Sequence, residues 1–82
     1  MEQEKITQIL NDFLIEEFEI SADLIKPEAL LKEDLGLESL DFVDIAVIIE
    51  KEFGLKVKGM DMIGVHTLQD LYDYIYKSIP SN

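Results

Sequence analysis

Ser39 is the residue whose surroundings best suit it to chemistry. It follows the run Asp34-Leu35-Gly36-Leu37-Glu38 and opens Leu40-Asp41-Phe42-Val43-Asp44-Ile45-Ala46-Val47-Ile48-Ile49-Glu50-Lys51-Glu52-Phe53, which Gly54 closes. A turn containing glycine thus delivers one hydroxyl to the start of a strongly apolar helix. Unpaired backbone N–H groups and the positive end of the helix dipole meet there. They would hold a phosphate ester on that hydroxyl by the same physics that draws free anions to helix N-termini. The plain structural alternative is an N-cap serine, whose removal would cost about 1 kcal/mol.

Other chemistries find less to work with. His66 is the only histidine, and a hydrolase built from Ser39, His66 and one of the eighteen acidic residues would need a Gly-x-Ser-x-Gly elbow that the sequence around Ser39 does not contain. The absence of cysteine rules out disulfides, thiolate metal sites and a protein thiol nucleophile, so any thioester sulfur must be borrowed. The spacing of a calcium-binding loop is missing around Asp34–Glu38 and around Asp61. No metal site is expected, only loose association of divalent cations with the acidic surface. The chain reads as a protein that is not an enzyme.

The elements that must position Ser39 follow from periodicity. Residues 2–18 read as a first helix with Ile6, Ile9, Leu10, Phe13 and Leu14 on its core face. From Glu19 to Asp34 the pattern breaks at Pro27, which predicts a long loop pinned by Ile20, Leu24, Ile25, Leu30 and Leu31, with a single turn around Glu28 to Leu31. In the helix after Ser39, Phe42, Val43, Ile45, Ala46, Ile49 and Phe53 sweep out an apolar arc, with Asp41, Asp44, Lys51 and Glu52 opposite. Leu40, Val47 and Ile48 fall at the edges of the charged strip, giving an exposed oily strip with an acidic surround. Glu38, Leu40, Asp41, Asp44, Val47, Ile48 and Glu52 are therefore the candidate partner-docking residues.

Beyond Gly54, Leu55 and Val57 belong to an extended connector, and Met60, Met62 and Ile63 to one short helical turn between Gly59 and Gly64. Thr67, with Asp70 three residues on, reads as the capping box of a last helix that turns Leu68, Leu71, Tyr72, Ile75 and Ile79 inward; Tyr74 and Tyr76 lie nearer the surface. Pro80-Ser81-Asn82 reads as a frayed tail. The expected fold is all-α, a small antiparallel bundle of three longer helices plus a short one, in a single domain spanning residues 1–82. Its expected core comprises Ile6, Leu10, Phe13, Leu31, Val43, Ala46, Ile49, Phe53, Val57, Leu68, Leu71 and Ile75. A slot lined by Ile45, Ile49 and Ile63 is expected between the second helix and the others.

Bulk properties bound the partners. Eighteen acidic against seven basic residues give a net charge of −11, which repels nucleic acid and anionic membranes and favours basic protein surfaces reached by electrostatic steering. The sequence contains neither a signal-peptide pattern nor an apolar span of bilayer length, so a cytoplasmic monomer is expected.

The run from Asp34 to Asp41 resembles the signature of acyl carrier proteins, in which an acidic residue, Ser and Leu follow a Leu-Gly turn; length, charge and helix order match across nearly the whole chain. The resemblance implies that Ser39 carries 4′-phosphopantetheine, taken from coenzyme A, through a phosphodiester. Acyl intermediates would ride on its terminal thiol. The implied partners are a phosphopantetheinyl transferase and acyl-loading and acyl-processing enzymes with basic surfaces. Fatty-acid or polyketide-like biosynthesis is the implied setting, with D-alanyl or peptidyl carriers as alternatives. From the residues alone, an unmodified acidic helical adaptor also stands. Three departures mark this chain: Glu38 replaces the usual Asp, Lys51 stands in a stretch that is usually acidic, and Gly59 to Gly64 holds a single carboxylate. They point to a dedicated secondary pathway.

Overall fold

The computed structural model describes residues 2–79. Helix α1 runs Gln3–Phe18, α2 Ser39–Phe53 and α3 Leu68–Ser78, with short 3₁₀ turns at Ala22–Leu24 and Gly59–Met62. Among the described residues the only β-pairing is an isolated antiparallel bridge between Leu30 and Thr67. The fold is thus the all-α bundle that the periodicity predicts. The expected tail at Pro80 to Asn82 lies outside the described residues.

Helix α1 buries Ile6, Leu10, Phe13 and Leu14, the stripe that its spacing of three and four places on one face. It ends at Glu19, which takes a left-handed conformation (φ 55°) more often given to glycine. That conformation costs a side-chain-bearing residue about 1–2 kcal/mol. Here it turns Ile20 straight into the core, and the Ile20 N–H bonds the Leu14 carbonyl at 3.2 Å. Burying an isoleucine side chain contributes about 1.5–3 kcal/mol, enough to offset the turn.

The long segment between α1 and α2 is stitched to the start of α3 by its backbone. Leu31 N–H donates to the His66 carbonyl at 2.9 Å, Leu68 N–H to the Ala29 carbonyl at 2.9 Å, and Gln69 N–H to the Pro27 carbonyl at 2.8 Å. These bonds have a purpose at both ends. The first N–H groups of α3 lack intrahelical acceptors, and the loop supplies them. Asp70 N–H is taken by the Thr67 hydroxyl at 3.1 Å, while the Asp70 carboxylate accepts from the Thr67 and His66 amides, each at 3.1 Å. The predicted capping box is present.

Several expectations need correction. The 3₁₀ turn of the loop lies at Ala22–Leu24 rather than at Glu28 to Leu31; the later stretch bonds residues 66–69 instead. Leu24 and Leu30 are exposed, whereas Ala29, Leu35 and Leu37 join Ile20 and Leu31 in the core. In α2 the fully buried residues are Ile45 and Ile49, and Val43, expected in the core, is 59% exposed. Ala46, Phe53 and Val57 are half-buried at the core's margin. Tyr72 is buried with its hydroxyl donating to the Asn11 carboxamide oxygen. Tyr74, half-buried, reaches Asp61 at 3.1 Å and ties the second 3₁₀ turn to α3.

Candidate functional site

The approach to Ser39 is built by a tight turn. Leu30 N–H bonds the Asp34 carboxylate at 2.8 Å, and the Asp34 and Leu35 amides return to the Leu30 carbonyl at 2.9 and 3.1 Å. Leu35 and Leu37 plunge into the core on either side of Gly36, whose φ of 70° makes the reversal without strain. Leu37 N–H then bonds the Leu31 carbonyl at 3.0 Å. The turn therefore fixes where α2 begins.

Ser39 is the first residue of α2, and the N-cap is Glu38. The structural alternative of a capping serine is therefore not what the helix start shows. The return bond of the cap comes from Asp41, whose carboxylate accepts the Glu38 N–H at 2.8 Å. Among the described residues the Ser39 hydroxyl enters no hydrogen bond, and its side chain is exposed. The Ser39 and Leu40 amides lie ahead of the first α2 backbone bonds, those of Asp41 and Phe42 to the Glu38 carbonyl at 2.9 and 3.2 Å. The hydroxyl is thus free beside two unengaged donors at the positive end of a helix of 15 residues.

A recess of about 440 Å³ opens beside this hydroxyl. Lys32, Ser39 and His66 supply its polar side; Phe42, Met62, Ile63 and Val65 supply the apolar side. The short turn that carries Met60 and Met62 forms as the sequence predicts, with Met60 82% and Ile63 73% exposed. The slot expected along Ile45 and Ile49 is corrected: both are fully buried in the core, and of the three residues expected to line it only Ile63 borders this recess. Lys32 was not singled out by the sequence, and His66 only as a poor catalytic candidate. Both reach the recess because the backbone bond between Leu31 and His66 brings two distant segments together.

The candidate docking residues divide by exposure. Glu38, Asp44 and Glu52 are exposed, Asp41 is partly covered by its capping role, and Leu40 and Val47 are 78% and 57% exposed. Ile48 is half-buried and packs against the core beside a shallow recess shared with Asp44, Val47 and Phe18. Val43 replaces it as the centre of the oily strip, since Leu40, Val43 and Val47 follow one another at spacings of three and four on one face. Among the described residues no group of three or more His, Cys, Asp or Glu side chains is gathered as for a metal ion. No helix of the described residues is long and apolar enough to cross a membrane.

Electrostatics mark structural rather than catalytic groups. Hydrogen bonds from the Thr67 and then the His66 amide hold the Asp70 carboxyl below its ordinary value of 3.8. Burial pushes the Tyr72 phenol from 10.0 up to about 12, and burial followed by the Asp61 carboxylate raises Tyr74.

The family model described as a phosphopantetheine attachment site matches residues 6–75. The chain belongs to the acyl carrier protein family. Its similarity to individual members is spread over the whole length. The acyl carrier protein of Chlorobium phaeobacteroides is 32% identical over 77 residues, covering 94% of this chain and 99% of that protein. That of Nitratidesulfovibrio vulgaris strain Miyazaki F is 38% identical over 73 residues, covering 89% and 91%. The crystal structure of the acyl carrier protein from Thermotoga maritima superposes with a TM-score of 0.79 at 26% identity, over 95% of this chain and 91% of that one. Acyl carrier proteins bear a covalently attached 4′-phosphopantetheine and act as carriers rather than enzymes, served by a phosphopantetheinyl transferase and by acyl-processing enzymes. The residues here fit such a group: a free hydroxyl, unengaged amides and an adjoining recess stand together at one helix end.

Proposed function

We propose that this protein carries acyl intermediates as thioesters on a 4′-phosphopantetheine arm attached through Ser39, in fatty-acid biosynthesis or a related secondary pathway. The observation that carries the assignment is that the Ser39 hydroxyl is exposed at the first position of α2 with no capping duty, while Glu38 and Asp41 close the cap without it. A serine kept at a helix start for stability would be the cap. When attached, the group supplies a thiol on a long flexible tether, which raises the effective concentration of its cargo at each enzyme visited.

The remaining residues present that site. Gly36 and the buried pair Leu35 and Leu37 fix the turn, and the two free amides of α2 face the position a phosphate ester would take. Glu38, Asp41, Asp44 and Glu52 form an acidic surround for Leu40, Val43 and Val47, suited to a partner with a basic rim and an apolar centre. A net charge of −11 speeds the approach of such partners and disfavours nucleic acid.

The test is the intact mass before and after incubation with coenzyme A and a broad-specificity phosphopantetheinyl transferase, with Ser39→Ala alongside. A gain of one phosphopantetheinyl unit that vanishes in the variant is expected. No gain, with a control carrier fully modified, would favour an unmodified adaptor that uses the same acidic face.

A further inference from the structure

Two basic side chains of a strongly acidic protein converge on the recess beside Ser39. Lys32 and His66 both line it, and both line a second recess of about 220 Å³ that adjoins it along Phe42 and Val65. Their backbones are tied to each other: the Leu31 amide bonds the His66 carbonyl at 2.9 Å, and Leu30 bridges Thr67 in antiparallel register. Lys32 and His66 therefore flank a backbone clasp rather than swinging on separate loops.

Three carboxylates of the neighbouring segments are turned to other work, while Glu33 lines the second recess beside the pair. Asp34 accepts the Leu30 amide, Asp41 the Glu38 amide, and Asp70 the amides of His66 and Thr67. Around His66 the charged groups are Lys32 and Glu33 from the loop and Asp70 from the start of α3. α2 offers only Ser39 and Phe42, and the second 3₁₀ turn and the segment before His66 only Met62, Ile63 and Val65, none of them charged. An anion esterified to Ser39 would otherwise sit in the field of Glu38, Asp41 and Asp44. A phosphodiester has one negative charge and two acceptor oxygens; an ammonium offers three donors and an imidazolium two.

We propose that Lys32 and His66 are positioning residues that hold the phosphodiester at Ser39 and lay the start of the arm along the recess. This rests on Ser39 being the attachment residue. In that hold the Lys32 ammonium supplies charge and up to three donors, and the His66 ring supplies a donor from the other strand of the clasp. The phosphorus shift of the diester reports on both.

Phosphorus NMR of the modified protein at neutral pH tests the proposal. The phosphodiester resonance is expected to move in His66→Gln. It should also move in Lys32→Gln and return in Lys32→Arg. Both side chains are exposed and the clasp uses only their backbone neighbourhood, so the variants keep the fold, which circular dichroism confirms. A resonance left in place by either glutamine variant would overturn the proposal. Mass mapping of the same samples separates the two levels. A phosphopantetheinyl unit found on Ser39 preserves the attachment even when the phosphorus result is negative. A unit found elsewhere, or none, removes both.

Discussion

The structure separates two hydroxyls that the sequence places alike, each at the start of a helix. Thr67 caps α3: its oxygen accepts the Asp70 amide at 3.1 Å, and the Asp70 carboxylate answers at the Thr67 amide. Ser39 caps nothing, since α2 is capped by Glu38 and closed by Asp41. Replacing a capping Thr by Ala costs about 0.5–2 kcal/mol, typically ~1. An exposed substitution that breaks no such feature stays within about 0.5 kcal/mol. With a urea slope of about 1 kcal/mol per molar for so short a chain, Thr67→Ala should lower the denaturation midpoint by about 1 M. In heat the same loss is worth ~4–8 °C in Tm. Ser39→Ala should move the urea midpoint by less than about half a molar while abolishing modification. Urea titration of both variants, followed by helical circular dichroism, makes the comparison. Equal losses in the two would refute the assignment of the first turn of α2 and return Ser39 to a capping role.

Other outcomes follow from the same geometry. Asp70 has a lowered folded-state pKa, so the stability it contributes is complete above its unfolded value of 3.8 and is lost as pH falls through the lowered one. Asp70→Asn should flatten the stability curve on that acid side, as read by urea midpoints at several pH values. Tyr72 behaves oppositely: raised from 10.0 to about 12, it contributes stability that is complete below pH 10 and lost as pH rises through about 12. Tyr72→Phe should remove part of the alkaline loss, and near neutrality cost about 1 kcal/mol through the hydrogen bond to Asn11. Val43→Gln should leave thermal stability nearly unchanged, because the side chain is mostly exposed, yet weaken binding to a partner enzyme in titration calorimetry.

Much of this arrangement was legible in the residues themselves. The stripes of α1 and α3, the Thr67–Asp70 box and the stop at Gly54 all follow local rules, and Gly54 does adopt the left-handed conformation, with φ 66°. Helix α2 is harder to read because it is apolar almost all round. Near-equivalent arcs compete for the core, and spacing alone turns Val43 inward together with Ile45 and Ile49, of which only the two isoleucines are buried. The loop before α2 has no period at all. Its burial of Ala29, Leu35 and Leu37 depends on pairing with residues 66–69, which no local spacing announces. The same pairing decides the composition of the recess. Ser39 could be found from the turn and helix around it; Lys32 and His66 could not, since 34 positions of sequence separate them (66 less 32).

The clasp between residues 27–31 and 66–69 has a consequence for how the molecule comes apart. The chain leaves the clasp after Leu31 and re-enters it at His66, so α2 and the second 3₁₀ turn form one closed excursion whose two feet stand together. Helices α1 and α3 lie on the other side of that knot and pack directly on each other. Closing a loop of this length costs entropy once, and the backbone bonds of the clasp hold its two feet together. The excursion can therefore loosen as a single cooperative unit while α1, α3 and the clasp stay folded. Amide exchange should divide the protein along that line, with Ile45 and Ile49 exchanging together and ahead of Leu10 and Leu71. The half that presents Ser39 to visiting enzymes is then also the half that can yield its shape to them.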